Sequence, residues 1–313
     1  MSELILVNPL DGPNTGSIIT NLYSSEPTYY NTMVDFLISE NHIGSNLQLL
    51  IVSGPNVHKR AAQILGFLAE AVLVQQCNAS PEINHYIANS ARFAKRLNNA
   101  YVDRYTAIVT GLKSTENHPL YYFHHQPHEK QTDVIWVDKR NARSLLMQPN
   151  TIGFGGIPAG LQVKVSFDWK NVGYKPEFSR YGHPIMYFDM NNDWSYLNSY
   201  IQSKKTEFSF DPLSQWHQVH LIQPNEITEG IKQQLWWMYG KLVDLINGEI
   251  TPKYLIDMAK AEGMSAVGAA ITGGEQLIIT KKAVQESEHI LSMEELSSFP
   301  SQAVINLARN LLG

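Results

Sequence analysis

One cysteine, Cys77, is all the chain has among 313 residues, so no disulfide can form within it and a disulfide-built scaffold is excluded. Long apolar runs are missing too. None approaches the roughly 20 residues that a membrane-spanning helix needs. The start, Met1-Ser2-Glu3, enters the short apolar run Leu4–Val7 through an acidic residue, without the basic segment and apolar core of a secretory signal. These absences lead to the expectation of a protein that does not enter membranes and stays in a reducing compartment: the cytoplasm, or a virion for a viral product.

Charge is also scarce. Asp, Glu, Lys and Arg make up 17% of the residues, against about 25% in an ordinary soluble domain. The place of the missing charges is taken by 23 Asn, 17 Gln and 24 Ser. Such a surface repels itself weakly and makes many neutral hydrogen bonds, and depletion of charge is a mark of interface cores. With a net charge of −5 and a pI of 6.1, binding of a phosphate backbone over the whole surface is not expected, although a local basic patch remains compatible with it.

What is present reads as a mixed α+β chain: an N-terminal α/β part, a central antiparallel β-rich segment and a helical C-terminal part. The texture changes near residue 150, which divides the chain into 1–150 and 151–313, or leaves it a single domain. Apolar spacing predicts a helix from Pro27 to Glu40. Leu47–Val52 reads as a buried strand that turns at Ser53-Gly54-Pro55-Asn56 into a helix carrying Ala61, Ile64, Leu65 and Leu68. A short strand at Ala71–Val74, helix from Pro81 to about Lys113, strands at Leu120–His124 and Asp133–Val137, and a short helix at Asn141–Met147 complete the first part.

Leu161–Trp169 alternates apolar and polar residues, as a half-buried strand does. Further strands are expected at Pro184–Phe188, Thr206–Phe210 and Trp216–Ile222, with a helix at Asp193–Ile201. The clearest helix follows Asn225: Ile227, Ile231, Leu235, Met238, Leu242 and Leu245 recur at steps of three and four, and Asn247-Gly248 supplies the stop. Thr251-Pro252 begins another. Gln276–Thr280 and Ala303–Leu312 are the last expected strand and helix.

Five groups of residues bear on function. Ser53, Gly54 and Asn56, with Lys59 and Arg60 just inside the helix, form a candidate ligand site, because helix N-terminal N–H groups and nearby cations hold anions. The spacing of a P-loop or a dinucleotide fingerprint is missing there, and the glycines at Gly153, Gly155, Gly156 and Gly160 open a strand rather than a helix. Arg92, Lys95, Arg96 and Arg104 lie among Phe93, Tyr101 and Tyr105, the interleaving of cations and rings that a single-stranded nucleic-acid groove uses. The histidines His124, His125 and His128, and then His217 and His220, make no two-ligand metal motif on their own, and neither metal nor cofactor is expected.

The strand pattern of Ile157–Trp169 and Gln215–Leu221 looks like parts of sugar-binding jelly-roll modules, with Trp169, Tyr174, Tyr181, Trp194 and Tyr196 as rings that stack on sugars, or more simply as core and interface residues. Finally, Trp236, Trp237 and Tyr239 stand off the main apolar stripe of their helix, as residues that dock a subunit do. No nucleophile elbow, zinc signature or Cys-x-x-Cys pair is present.

The leading reading is therefore a non-catalytic assembly or interaction protein, a homo-oligomer or a subunit of a virion or other large array. An α/β enzyme or ligand-binding protein holding a phosphate or nucleotide at Ser53–Asn56 is the alternative. A single-stranded nucleic-acid-binding protein is the second alternative.

Overall fold

A computed structural model describes residues 29–44, 47–51, 56–93, 97–128, 131–149, 156–175, 182–204 and 221–262. The expected elements at Leu4–Val7, Thr206–Phe210, Gln276–Thr280 and Ala303–Leu312 lie outside these residues, as does most of Trp216–Ile222. In chain order the helices are α1 (Tyr29–Ser39), α2 (Val57–Ala79), α3 (Pro81–Ala91), α4 (Asn99–Val102), α5 (Lys113–Glu116), α6 (Lys170–Gly173), α7 (Trp194–Ser203), α8 (Glu226–Asn247) and α9 (Pro252–Ala261). The strands are β1 (Tyr105–Val109), β2 (Val134–Asp138), β3 (Asn141–Leu145), β4 (Gly160–Ser166) and β5 (Ile185–Asp189). The fold class is α+β, with a mixed sheet and helices following it. No helix among the described residues is long and apolar enough to cross a membrane.

The described chain divides into two compact units, each made of separate stretches: 29–60, 112–125 and 240–262 in the first, 61–111 and 126–239 in the second.

In the first unit α1 packs against α9. Met33, Val34, Phe36, Leu37 and Ile38 of α1 are buried, as are Leu255, Ile256 and Ala259 of α9, each set on one helical face. Thr251 caps α9 by accepting the N–H of Tyr254 at 3.2 Å, with Pro252 at the first helical position. At the other end of α9, the Glu262 carboxylate accepts the N–H of Asn31 at 3.0 Å, satisfying a donor in the first turn of α1. The expected strand at Leu47–Val52 is replaced by a single bridge between Ile43 and Leu49. Leu47 adopts φ 60°, which breaks the extended run, and Leu50 is 43% exposed. Leu120–His124 is a turn ending in a short 3-10 helix rather than a strand.

In the second unit the sheet has the order β1-β2-β4-β5, with β3 also paired to β2. β1, β2 and β4 run antiparallel, but β4 and β5 are parallel, so the sheet is mixed rather than antiparallel throughout. This parallel pairing also removes the jelly-roll likeness. The β4–α6–β5 connection and the parallel bridge from Ile185 to Leu221 beyond α7 are crossovers. Val172, Leu197 and Ile201 of α6 and α7 pack with Ile185 and Tyr187 of β5.

Three local expectations fail here for identifiable reasons. α2 runs unbroken through Ala71–Val74, because Leu65, Leu68, Ala69, Val72 and Leu73 keep the helical period of burial. The helix from Pro81 stops at Ala91, where Phe93 turns to φ 52°, and the β-prone Tyr-Thr-Ala-Ile-Val run becomes β1. Asn141–Leu145 forms a strand in a hairpin with β2, its turn fixed by the Asp138 carboxylate accepting the N–H of Arg140 at 2.8 Å. The strands β2, β4 and β5, and helices α1, α7, α8 and α9, form where the periodicity predicts them.

Candidate interaction surface

The parallel pair brings the carboxyl ends of β4 and β5 together, the place where open α/β sheets hold ligands. The loops leaving them carry Phe167-Asp168-Trp169 and Met190-Asn191-Asn192-Asp193. Asp189, at the end of β5, accepts Lys232 Nζ at 2.9 Å and the N–H of Trp194 at 2.9 Å. Lys232 also donates to Asn192 Oδ1 at 3.1 Å and Glu229 Oε1 at 3.2 Å. Its three N–H donors therefore meet three acceptors. Burial pulls the Lys232 pKa down, but the bonds to Asp189 and Glu229 outweigh it and hold the ammonium above its ordinary value.

Asp193 works in the same direction. Its Oδ2 accepts the N–H of Trp169 at 2.6 Å and its Oδ1 the Tyr187 hydroxyl at 2.6 Å. Burial, then Asp193, pushes the Tyr187 phenol up, so it stays a donor. Ser166 Oγ donates to the Asp168 carbonyl at 2.7 Å and accepts the Asp168 N–H at 3.1 Å. These groups are turned on the protein itself and fasten α8 and two loops to the strand ends.

What they fasten is aromatic. Trp236 lies one helical turn beyond Lys232 on α8. Its ring meets Phe167 edge to face at 5.3 Å, and Tyr239 meets the same Phe167 at 4.5 Å. Trp236 and Tyr239 stand 6.0 Å apart, and Trp236 is 43% exposed. Trp237, half-buried, is rotated about 100° around the helix from Trp236. Of the three residues singled out on this helix, two thus join one cluster. Phe167 is the member that alternation concealed: β4 ends at Ser166, so Phe167 leaves the sheet.

The other candidates are placed as follows. Ser53 and Gly54 lie outside the described residues. Asn56 caps α2, its Oδ1 accepting the N–H of Lys59 at 2.9 Å, and Lys59 is exposed. Around Arg60, in the first unit, the His42 imidazole is held below its ordinary value by burial and then by the charges of Arg60 and Lys113. Arg92 is buried, with Nε on the Met147 carbonyl at 3.2 Å and its guanidinium 4.9 Å from the Tyr101 ring centre. Arg104 pairs with Asp138 at 3.0 Å. Lys95 and Arg96 lie outside the described residues, as do His217 and His220. His124, on the 3-10 turn, meets the Phe123 ring at 4.3 Å. No group of three or more His, Cys, Asp or Glu suited to a metal occurs among the described residues. Cys77 is buried, which pushes its thiol up and suppresses the thiolate.

Set against protein-family models, curated proteins and solved structures, the chain matches none of them.

Proposed function

We propose that this protein is a non-catalytic assembly protein that joins copies of itself, or other subunits, through the Phe167–Trp236–Tyr239 face. The observation that carries the reading is the exposed Trp236 ring held edge to face by Phe167 beside Tyr239. Rigid, half-exposed Trp and Tyr side chains are the commonest hot spots of protein interfaces, and low charge favours the same use. The buried charges nearby support it indirectly, since Lys232, Asp189 and Asp193 serve the fold and leave no free acid, base or nucleophile among them. The work of such a subunit belongs in the cytoplasm or, for a capsid array, in the virion.

Native mass spectrometry tests this. The wild type is expected as an oligomer, and Trp236→Lys or Tyr239→Glu as folded monomers with an unchanged far-UV spectrum. A wild type that stays monomeric at high concentration overturns the proposal.

A second reading, an anion-binding protein using the start of α2, draws on the charges of Arg60 and Lys113 that both bear on His42. For that reading, Lys59→Ala with Arg60→Ala abolishes a thermal shift produced by a nucleotide or by inorganic phosphate. No shift of the wild type across such a panel counts against it.

A further inference from the structure

The second unit carries another aromatic surface, on the helices that cover β5. Trp169, Tyr174 and Tyr200 stand mutually 5.2–5.3 Å apart, centre to centre. Gly173 eases this spacing: a Cβ there would lie 3.0 Å from Leu197 and 3.2 Å from the Tyr200 ring, so a larger residue would push these side chains aside by a few tenths of an ångström. Trp169 is anchored below, its N–H bonded to Asp193 and its ring against the core. Tyr174 is 58% exposed, and Tyr196, one turn from Tyr200 on α7, is 64% exposed. The rings are braced from beneath and open above.

Among the described residues, the charges around them have one predominant sign. α7 has no charged side chain from Trp194 to Ser203. Lys170, at the start of α6, and Lys175, just past its C-cap Tyr174, are exposed, and the half-buried Lys204 is the C-cap of α7. Of the nearby carboxylates, Asp193 is buried against Tyr187 and Trp169, and Asp168 is exposed. In a chain of net charge −5, three lysines edging a charge-free aromatic helix form a local cationic rim.

We infer that the α6–α7 surface binds single-stranded nucleic acid, with bases stacked on Tyr174 and Tyr196 and phosphates held by Lys170, Lys175 and Lys204. A duplex hides the faces of its bases, which are what open rings recognise, and a neutral sugar has no use for the cations. The pairing of rings with cations that the sequence offers around Arg92 is thus met in space at a different place. There, Arg92 is committed to a main-chain carbonyl and the Tyr101 ring.

The test is fluorescence anisotropy of a labelled oligo-dT and oligo-U with the full chain across a salt series. Binding is expected to weaken with salt by a log–log slope of about −0.7 for each phosphate neutralised. Tyr174→Ala and Tyr196→Ala each weaken it roughly tenfold, and both positions are exposed enough for the fold to survive. Lys170→Gln with Lys175→Gln shortens the slope by about 1.4. Asp168→Asn keeps the acceptor for the Lys170 N–H and tightens binding. Lys253→Gln, which removes an exposed cation that is not part of this surface, leaves affinity and slope intact. Absence of binding at low salt, equal binding of duplex, loss of neither affinity nor slope in the variants, or salt-independent binding of a neutral glucan overturns the inference.

Discussion

Two lysine–aspartate pairs lie on the sheet of the second unit, and burial acts on them differently. At the carboxyl end of β5, Lys232 sits 2.9 Å from Asp189 and has acceptors for all three protons, so its charge is favoured despite burial. Further back along the sheet, Lys164 of β4 sits 3.7 Å from Asp133, the residue before β2. There burial outweighs the attraction of Asp133 and Glu70 and lowers the Lys164 pKa, while burial raises that of Asp133 despite Lys164 and the Val163 N–H. The contrast shows a buried lysine keeping its charge where close carboxylates outweigh desolvation, and losing some of that preference where desolvation is the larger effect. It also separates a pair that fastens the aromatic face from one that the fold merely tolerates.

The sharpest way to break the comparison is Lys232→Met. This leaves the Asp189 carboxylate buried without its cation and should cost about 3–5 kcal/mol in urea unfolding. It should also change the near-ultraviolet spectrum of the aromatic cluster, since Trp236 lies one turn away. Lys164→Met, by contrast, removes a charge that the fold disfavours, and Asp133 keeps its bonds to Val163 and Gln162. Its cost should be the smaller of the two, since burial already inclines Asp133 to take up a proton. Equal losses in the two variants would remove the distinction.

The same contrast has a signature in pH. The folded pKa of Lys232 is raised, so its contribution is complete below the unfolded value and is lost as pH climbs through the folded one, in the alkaline range. Lys164 is depressed, so in the window just below its unfolded value the unfolded chain binds more protons and stability rises with pH. Asp133 is raised, so above its unfolded value the native state binds more protons and stability falls as pH rises through that acidic window. Urea midpoints across pH should therefore lose the alkaline fall in Lys232→Met, the preceding rise in Lys164→Met and the acidic fall in Asp133→Asn. Each slope is limited to about 1.4 kcal/mol per pH unit for one proton.

Neither pair was legible in the sequence, and the reason is physical. Gln162, Lys164 and Ser166 alternate with valines, which reads as a wet face; α6 and α7 cover that side of the strands, and Gln162 is 3% exposed. Long-range coverage of this kind leaves no local trace. Caps and periodic faces do, which is why α8, α9 and β4 were readable at Asn225, Thr251 and the Leu161–Ser166 alternation. Of the aromatic cluster, Trp236 and Tyr239 stood out because they share a helix. Phe167 and the Trp169–Tyr174–Tyr200 group depend on where a strand ends and on Gly173, which only coordinates reveal.

The smallest effect distinguishes docking of α8 from its formation. Asn225 caps the helix through a reciprocal pair: its Oδ1 accepts the Thr228 N–H at 3.0 Å, and its own N–H donates to Thr228 Oγ1 at 2.8 Å. Asn225→Ala should therefore cost about 1 kcal/mol. It removes a local bond and leaves Lys232, Asp189 and the rings in register. Stability should drop with no change in the near-ultraviolet spectrum or in subunit number by native mass spectrometry. If Asn225→Ala disturbed the aromatic signal as much as Lys232→Met, helix formation rather than the ion pair would be what sets the position of Trp236.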